Sequence, residues 1–508
     1  MGFSQSALNT GPPHPVVMVS QPDVIQQDPP DDEISHLSPS FAVQYAPEQF
    51  AAHLPNEILF EILQYIVHDR DAYFEKGHRS HELFVALKTL HSLIFVSRQF
   101  YFAVQPLLYR AVYISHGLQL NSLYRTLVLQ PRLAGHVKSF LIHENNTWVP
   151  LKKRLVQKWD ADAKGARDAA LQLALVLLRA RNLTLFKYTV GTVPHDDPFQ
   201  WIFTTVFVTL ASLPMGRNIL ENVEQAEVQR LDSLNRASFL RVLVSLPKLR
   251  SLCLASSSPI THHAHSFPIG ASQSLRELEI MDPASLANLA GVARSIASLK
   301  VLRCELCKHL LLQLTTHSAL TETVRALSNN LKELHISSGA RCPRGYPITR
   351  LGLHNDAPWS FTACHALRVL SVPSYVYYHN LALAEGSGMH HAQALQWLLP
   401  ASVETFRISS WRYSPWAMLP SERQADISYL LEMAEEIATV PIPSLRTFIF
   451  QERMYGYEET LDVYAAVRKK FAERNVDFVF ESGVPVAQRG DGTCSWCEPR
   501  VSVTDSNE

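Results

Sequence analysis

The sequence lacks a surplus of charge of either sign. Its 508 residues include 46 Lys and Arg against 47 Asp and Glu, which gives a formal net charge of -1. A basic excess is what neutralises the phosphates of nucleic acids and the headgroups of anionic lipids. The charge balance therefore argues against nucleic acid and against a membrane surface as partners.

Glycine is scarce, at 19 residues, and the sequence contains no glycine-rich phosphate loop ending in Lys-Ser or Lys-Thr. It contains neither a Gly-x-Ser-x-Gly nucleophile elbow nor a His-Glu-x-x-His zinc motif. We therefore expect no catalytic residue and no cofactor, and interpret the chain as a protein that is not an enzyme.

Long apolar runs are missing too. The longest are Ala169–Leu178 and Trp201–Met215, and both fall short of the roughly 20 residues that span a bilayer, so we predict two buried helices. The first residues lack the basic and apolar segments of a secretory signal. Seven cysteines, an odd number, do not suggest a disulfide framework in so long a chain. A reducing compartment, cytoplasmic or nuclear, is expected.

Two Cys-x-x-Cys pairs have the spacing of zinc ligands: Cys304 with Cys307, and Cys494 with Cys497. A structural zinc site needs four ligands, and the pairs lie almost 190 residues apart, so we interpret them as core or surface cysteines. Histidines in polar stretches are more often solvated than ligated. We interpret five of them as solvated loop residues: His262, His263, His265, His390 and His391.

Composition divides the chain into four parts. Residues 1–50 are rich in Pro, Gln, Ser and Asp and carry little that could form a core, so we predict a disordered arm. Residues 51–115 contain short amphipathic helices, and residues 116–482 alternate helical and strand patterns. Residues 483–508 are predicted to be a disordered tail.

The first helical segment is HLPNEILFEILQYIV, residues 53–67. Pro55 suits the first turn of a helix, and Glu57 lies near the positive end of the helix dipole. Apolar residues then recur at intervals of three and four, which predicts a wide apolar stripe. The stripe comprises Ile58, Leu59, Ile62, Leu63, Ile66 and Val67. A polar stretch at about 68–83 follows, and helical spacing resumes at Leu87 and is expected to end at Pro106.

Four segments of this region, in order, resemble an F-box of the fungal type: Leu54–Leu59, Ile62–Ile66, Leu93–Phe100 and Leu107–Arg110. The resemblance implies that these helices bind the Skp-type adaptor, and through it a cullin, of a ubiquitin ligase. The stretch at 68–83 is longer than the usual link and is expected to loop out. The implied adaptor-binding residues are Leu54, Pro55, Ile58, Leu59, Ile62, Leu63, Leu93 and Val96. The open alternative is that the first helix only packs on the following domain.

One six-residue sequence motif, called the phrase below, recurs after residue 115, with apolar residues at its first, fourth and sixth places. Seven clear copies begin at Leu249, Leu275, Leu299, Leu331, Leu367, Val403 and Leu445, and looser ones begin at Val137 and Leu183. The gap from Leu183 to Leu249 has room for one more, around Val223–Val228, which the sequence alone does not place. The clear copies are 26, 24, 32, 36, 36 and 42 residues apart, which leaves room for a strand, a helix and loops. The pattern predicts an α/β fold built as an irregular leucine-rich-repeat solenoid, a horseshoe. An ordinary α/β domain with a parallel sheet is the alternative.

Period-two alternation places the third and fifth residues of each copy on the outward side of the sheet. Aromatic residues and Arg in the segment SSWRYSPWAML, residues 409–419, add candidates because such side chains are enriched at binding hot spots. The alternative is that they cover the core beneath a long loop. The candidate substrate-binding residues are Glu277, Glu279, Arg303, His335, Arg407, Trp411, Arg412 and Trp416.

The second place of the phrase is basic in six of the seven clear copies, with Glu404 as the exception. Such residues form either a positive ladder able to hold an acidic or phosphorylated segment or a solvated rim. They are Arg250, Arg276, Lys300, Lys332, Arg368 and Arg446.

Together these features predict a non-catalytic substrate-recognition subunit of a Skp–cullin–F-box ubiquitin ligase, whose repeats bind a protein substrate. The competing hypothesis is a leucine-rich-repeat scaffold with no role in a ligase.

Overall fold

The computed structural model describes residues 55–67, 88–114, 117–144, 159–190, 202–212, 220–229, 242–255, 273–281, 298–306, 314–338, 358–386, 391–409, 430–437, 444–452 and 464–482, together with the isolated residues Phe239, Ile296, Ser428 and Ile442. Several predictions concern residues outside these ranges. They include the 1–50 arm, the 68–83 stretch, the tail, Leu54, Trp411, Arg412, Trp416, Cys307, Cys494, Cys497, His262, His263, His265 and His390.

The chain divides into two compact units, Met1–Leu183 and Thr184–Glu508. The described helices of the first unit are α1 (Asn56–Val67), α2 (Arg98–Arg110), α3 (Gly117–Leu129), α4 (Pro131–Ala134) and α5 (Trp159–Arg179), and its strands are β1 (Ala111–Ile114) and β2 (Ser139–Glu144). The amphipathic helices and the first two strands thus belong to one unit.

The second unit contains most of the strands. Its described helices are α6 (Ile202–Ser212), α7 (Leu314–Ala326), α8 (Ser374–Gly386), α9 (His391–Leu398) and α10 (Ala465–Ala472). Its strands are β3 (Leu185–Val190), β4 (Gln225–Gln229), β5 (Ser251–Ala255), β6 (Glu277–Met281), β7 (Val301–Leu306), β8 (Glu333–Ser338), β9 (Val369–Pro373), β10 (Thr405–Ser409), β11 (Thr447–Glu452) and β12 (Asp477–Ser482).

Within each unit the spatial order of the described strands follows chain order, with β1 beside β2 in the first unit and β3 to β12 in sequence in the second. Neighbours within each unit pair in parallel, as β1 does with β2 and β11 with β12. Parallel neighbours need a crossover between them, which the long spacing between copies of the phrase provides. The prediction of an α/β fold is confirmed, with a parallel sheet as its centre.

The recurring phrase forms its strands because its apolar places are buried. Each of the seven clear copies contains one strand, β5 to β11, and the first, fourth and sixth residues of every copy are buried. The looser copies contain β2, β3 and β4. In the seven clear copies three residues at outward places are buried as well, namely Val301, Ser371 and Ile449, so the outward face is partly covered.

Both long apolar runs form helices, as predicted. The first lies in α5, where Leu173 and Val176 are buried, and residues 202–212 of the second form α6, where Phe207 and Leu210 are buried. These buried residues face the core and explain each run, although Leu171 of α5 is exposed.

The amphipathic helices share a core of their own. It consists of Leu59, Leu63, Leu90, Ile94, Val104 and Leu107. The helical spacing is interrupted at Ser97, whose hydroxyl accepts a hydrogen bond from the backbone N–H of Phe100 at 3.2 Å and so begins α2. The expectation that Pro106 ends the helix is wrong, because α2 continues to Arg110. The backbone hydrogen bond that Pro106 removes involves the carbonyl of Phe102, an exposed residue.

Aromatic rings cover the last two strands. Phe448 of β11 stacks on Phe471 of α10 at 4.8 Å between ring centroids, and on Phe478 of β12 at 5.9 Å. Tyr464 stacks on Phe480 at 4.6 Å. Helix α10 and strand β12 therefore bury the aromatic surface of β11.

Candidate functional site

The apolar stripe of α1 is divided between core and solvent. Leu59 and Leu63 are 2% and 1% exposed, whereas Ile58 and Ile62 are 46% and 48% exposed. Successive helical residues are rotated by about 100°, so one wide stripe can serve two contacts. Leu59 and Leu63 therefore anchor α1 to the rest of its core. Because they are buried, their side chains are not accessible to an adaptor.

Other apolar side chains are exposed in the same module. Tyr65 lies seven residues after Ile58 on the same side of α1, and the turn before α2 exposes Phe95 and Val96. The side-chain amide of Gln99 donates to Oδ1 of Asn56 at 2.9 Å, which holds the start of α2 against the start of α1. We call Ile58, Ile62, Tyr65, Phe95 and Val96 the helical surface.

Two further implied adaptor residues are described. Pro55 is exposed at the start of α1, and Leu93 is half-buried against the core of the module. Pro55 can therefore add to an apolar contact at this end of α1, and Leu93 can do so only in part. Exposed apolar groups clustered on helices are typical of protein-interaction surfaces.

A second candidate surface lies on the outward face of the sheet. Residues of four adjacent strands stand side by side there, because Arg303 pairs with His335, His335 with Ser371, and Ser371 with Arg407 in the strand register. We call these four residues the polar row. Three of the candidates predicted from alternation lie in this row: Arg303 and His335 are direct neighbours, and Arg407 lies two strands beyond His335.

Carboxylates hold the basic groups of the polar row in place. Arg303 Nη1 lies 3.4 Å from Oε2 of Glu277, and Arg407 Nη2 donates to Oε1 of Glu481 at 2.9 Å. Nε2 of His335 lies 3.3 Å from Oε2 of Glu333. Mixed charge of this kind suits recognition of polar protein side chains.

The electrostatics of His335 depend on its neighbours. Burial lowers the pKa of the imidazole, and the positive charges of Arg303 and Arg407 lower it further, while Glu333 opposes the shift. His335 is therefore neutral near pH 7 and can either donate or accept a hydrogen bond.

Glu279, the remaining described candidate, faces the same side one strand before Arg303. Its charge contributes to raising the pKa of Cys304, whose thiol has a pKa of about 12, mainly because of burial. Cys304 is therefore a protonated core residue of β7, as its inward place predicts. Cys364 is buried too, with a pKa of about 12 for the same reason.

A buried ion pair on the outward face was not predicted. Nζ of Lys187 lies 2.6 Å from Oε2 of Glu227, with the two side chains 4% and 13% exposed. These residues are register partners on β3 and β4. The signal in the sequence is that Lys187 and Glu227 both occupy the fifth place of their copies of the phrase. It can be recognised only after the copy that contains Glu227 has been located.

The interpretation of His391 as a solvated loop residue is wrong. This histidine lies at the start of α9 and is buried. Its Nδ1 is 2.5 Å from the hydroxyl of Tyr377, and its Nε2 is 3.2 Å from Oε2 of Glu432. The three groups join α8, α9 and residues 430–436, a role that depends on tertiary packing and leaves no pattern in the sequence.

The part of the chain that the structure describes contains no group of three or more His, Cys, Asp or Glu residues placed to hold a metal ion. None of its helices has the length and apolar character needed to cross a bilayer. No protein-family model matches the chain, and no curated protein matches it.

Proposed function

We propose that this chain is the substrate-recognition subunit of a Skp–cullin–F-box ubiquitin ligase. The observation that carries the proposal is the division of the α1 stripe, in which Leu59 and Leu63 fix the helix while Ile58 and Ile62 stay exposed. Exposed isoleucines at helical spacing are costly to solubility unless a partner covers them. The helical surface is the docking site for the Skp-type adaptor.

The parallel sheet is the substrate-binding part, arranged as a leucine-rich-repeat horseshoe. Its outward face presents the polar row to a protein substrate, with arginines oriented by Glu277 and Glu481. In this role the chain supplies no catalytic group. It holds substrate lysines near the charged conjugating enzyme and so raises their effective concentration.

The adaptor interface is tested by substituting both exposed isoleucines in the full chain, Ile58→Asp with Ile62→Asp, and measuring co-purification of the Skp-type adaptor. Burying each isoleucine contributes about 1.5–3 kcal/mol, so the pair should weaken binding by about 100-fold or more. Both side chains are exposed, so the substitutions should leave the fold intact.

A matched control places the same charges elsewhere in the first unit. Leu129 and Leu171 are also exposed, and Leu129→Asp with Leu171→Asp should leave adaptor binding unchanged. Circular dichroism of both double variants checks that they are folded. Full adaptor binding by the Ile58 and Ile62 variant would contradict the proposal.

A scaffold without a ligase role is favoured by one observation. Helix α2 ends at Arg110 and β1 begins at Ala111, so the helical module continues directly into the sheet. The carbonyl of Arg110 also accepts a hydrogen bond from the N–H of Lys138 at 2.9 Å, next to β2. Helices joined in this way can cap the end of a repeat array. If affinity purification of the wild-type chain recovers other partners but no Skp-type adaptor, the result supports this function over the ligase role.

A further inference from the structure

The residues that immediately precede β5 to β9 form a continuous row of exposed cations. We call this row the basic ladder; it comprises Arg250, Arg276, Lys300, Lys332 and Arg368. The backbone N–H of each later member donates to the carbonyl of the member before it, at 2.8, 2.8, 2.7 and 2.8 Å in chain order. Neighbouring members are therefore one strand spacing apart, about 4.8 Å, and the row is about 19 Å long.

Carboxylates mark both ends of the basic ladder. The N–H of Arg250 donates to the carbonyl of Glu224 at 2.7 Å, and the N–H of Glu404 donates to the carbonyl of Arg368 at 2.8 Å. The side chains pair as well, at 3.9 Å for Arg250 with Glu224 and 3.0 Å for Arg368 with Glu404. The row thus has a defined length, and its end members are partly neutralised.

The three central cations lack such compensation. Within the part of the chain that the structure describes, no carboxylate forms an ion pair with Arg276, Lys300 or Lys332, and only Arg276 has a polar contact of its side chain, 3.5 Å from the carbonyl of Ser298. The acidic residues that follow two of them are engaged on the outward face, since Glu277 contacts Arg303 and Glu333 contacts His335. An incoming anion would relieve the mutual repulsion of these cations.

We propose that the basic ladder binds a short acidic segment of a partner protein. A length of about 19 Å corresponds to about six residues of extended chain at roughly 3.3 Å each. Glu224 and Glu404 would repel a polyanion at the two ends of the ladder, where Arg446 adds a further cation one strand beyond Glu404, and the balanced charge of the chain gives no surplus to hold one. A short run of Asp and Glu therefore fits better than a nucleic acid. The proposal does not depend on a role in a ubiquitin ligase.

The test uses the full chain and fluorescein-labelled hexaglutamate at low salt, with binding followed by fluorescence anisotropy. The variant carrying Arg276→Gln, Lys300→Gln and Lys332→Gln should bind the peptide at least about tenfold more weakly, because complementary charges across the contact are lost. Binding by the wild-type chain should also weaken as salt is added.

A matched control removes the same charge from another exposed site of the second unit. Arg468→Gln, Lys469→Gln and Arg474→Gln alter three exposed cations in and after α10, and hexaglutamate affinity should be unchanged. Thermal melts establish that both variants are folded, and Lys300→Gln with Lys332→Gln replaces the triple variant if it does not fold.

Three results would each overturn the proposal. The first is equal affinity of the ladder variant and the wild type for hexaglutamate. The second is the absence of measurable hexaglutamate binding by the wild-type chain. The third is tighter wild-type binding of hexauridylate RNA than of hexaglutamate, which would make the ladder a nucleic-acid surface.

Discussion

At the residue scale, neighbouring side chains of the same chemical type have different roles. Ile58 and Leu59 are adjacent, yet one is largely exposed and the other buried. The apolar stripe was predictable from spacing alone, because helical periodicity places these residues on one side. Which half of a wide stripe is buried was not predictable, because it depends on contacts with Leu90, Ile94 and Val104, far along the chain.

The pKa of His335 provides a prediction at the same scale. Because burial and two arginines lower this pKa below 6.5, the unfolded chain binds a proton more readily than the folded chain. The contribution to stability is present above pH 6.5 and is lost as the pH falls toward the folded pKa. The free energy of unfolding should therefore decrease on acidification from pH 7, and His335→Asn should reduce that dependence.

An NMR titration of the imidazole of His335 checks the cause directly. Arg407→Gln should raise the midpoint, since it removes a positive charge that lowers this pKa. Arg446→Gln is a matched control, because Arg446 is exposed before β11 and is not among the groups that shift His335. A wild-type midpoint at or above 6.5 would mean that the effect of Glu333 outweighs burial and the two arginines.

At the element scale, strands were predictable where an apolar residue occupies each inward place. Strands β5 to β11 satisfy this rule, so the sequence located them directly. Strand β12 was missed because its first place holds Asn475 and its second place the buried Val476. The phrase is therefore unrecognisable there, although Phe478 pairs in register with Phe448. Strand β1 was missed because it continues directly from a helix.

Ion pairs between elements were harder to predict than strands. The Lys187–Glu227 pair requires the register of β3 with β4, which only the three-dimensional structure supplies. The buried Tyr377–His391 contact likewise requires the packing of α8 against α9. The basic ladder was predictable from the spacing of the phrase. Which of its cations form ion pairs with carboxylates was not, because those pairs depend on the folded structure.

The turn between α10 and β12 supports a stability prediction. Asn475 has a φ of 59°, in the left-handed region, and its N–H donates to the carbonyl of Ala472 at 3.0 Å. A β-branched side chain is strained in this conformation, so Asn475→Val should lower the free energy of unfolding by about 1–2 kcal/mol. Asn475→Gly should be close to neutral, because glycine adopts this conformation without strain.

Urea denaturation of both variants measures the difference, with Glu473→Val as a control at a nearby exposed position of ordinary backbone conformation, φ -60°. Equal stability of Asn475→Val and the control would show that the left-handed turn does not constrain this end of the sheet.

At the scale of the whole molecule, strands in chain order make each strand depend mainly on its neighbours. Stability in such an array is close to a sum over neighbouring contacts, and the end of its apolar core needs a cover. In the second unit α10 and β12 provide that cover, because the rings of Tyr464, Phe471 and Phe478 bury the aromatic side chains of β11. These stacked rings therefore close the end of the sheet that the recurring phrase builds.

Truncation from the C-terminal side should therefore lower stability only once it removes α10 and β12. Removing residues 483–508 should leave the melting temperature unchanged, whereas removing residues 464–508 should lower it and cause aggregation, because Phe448 and Phe450 lose the rings that bury them. Phe471→Ala in the full chain should have a smaller effect, about 3–5 kcal/mol. Thermal melts and size-exclusion chromatography of the three proteins decide the matter. A monomeric 464–508 deletion with the wild-type melting temperature would mean that β11 can end the sheet by itself.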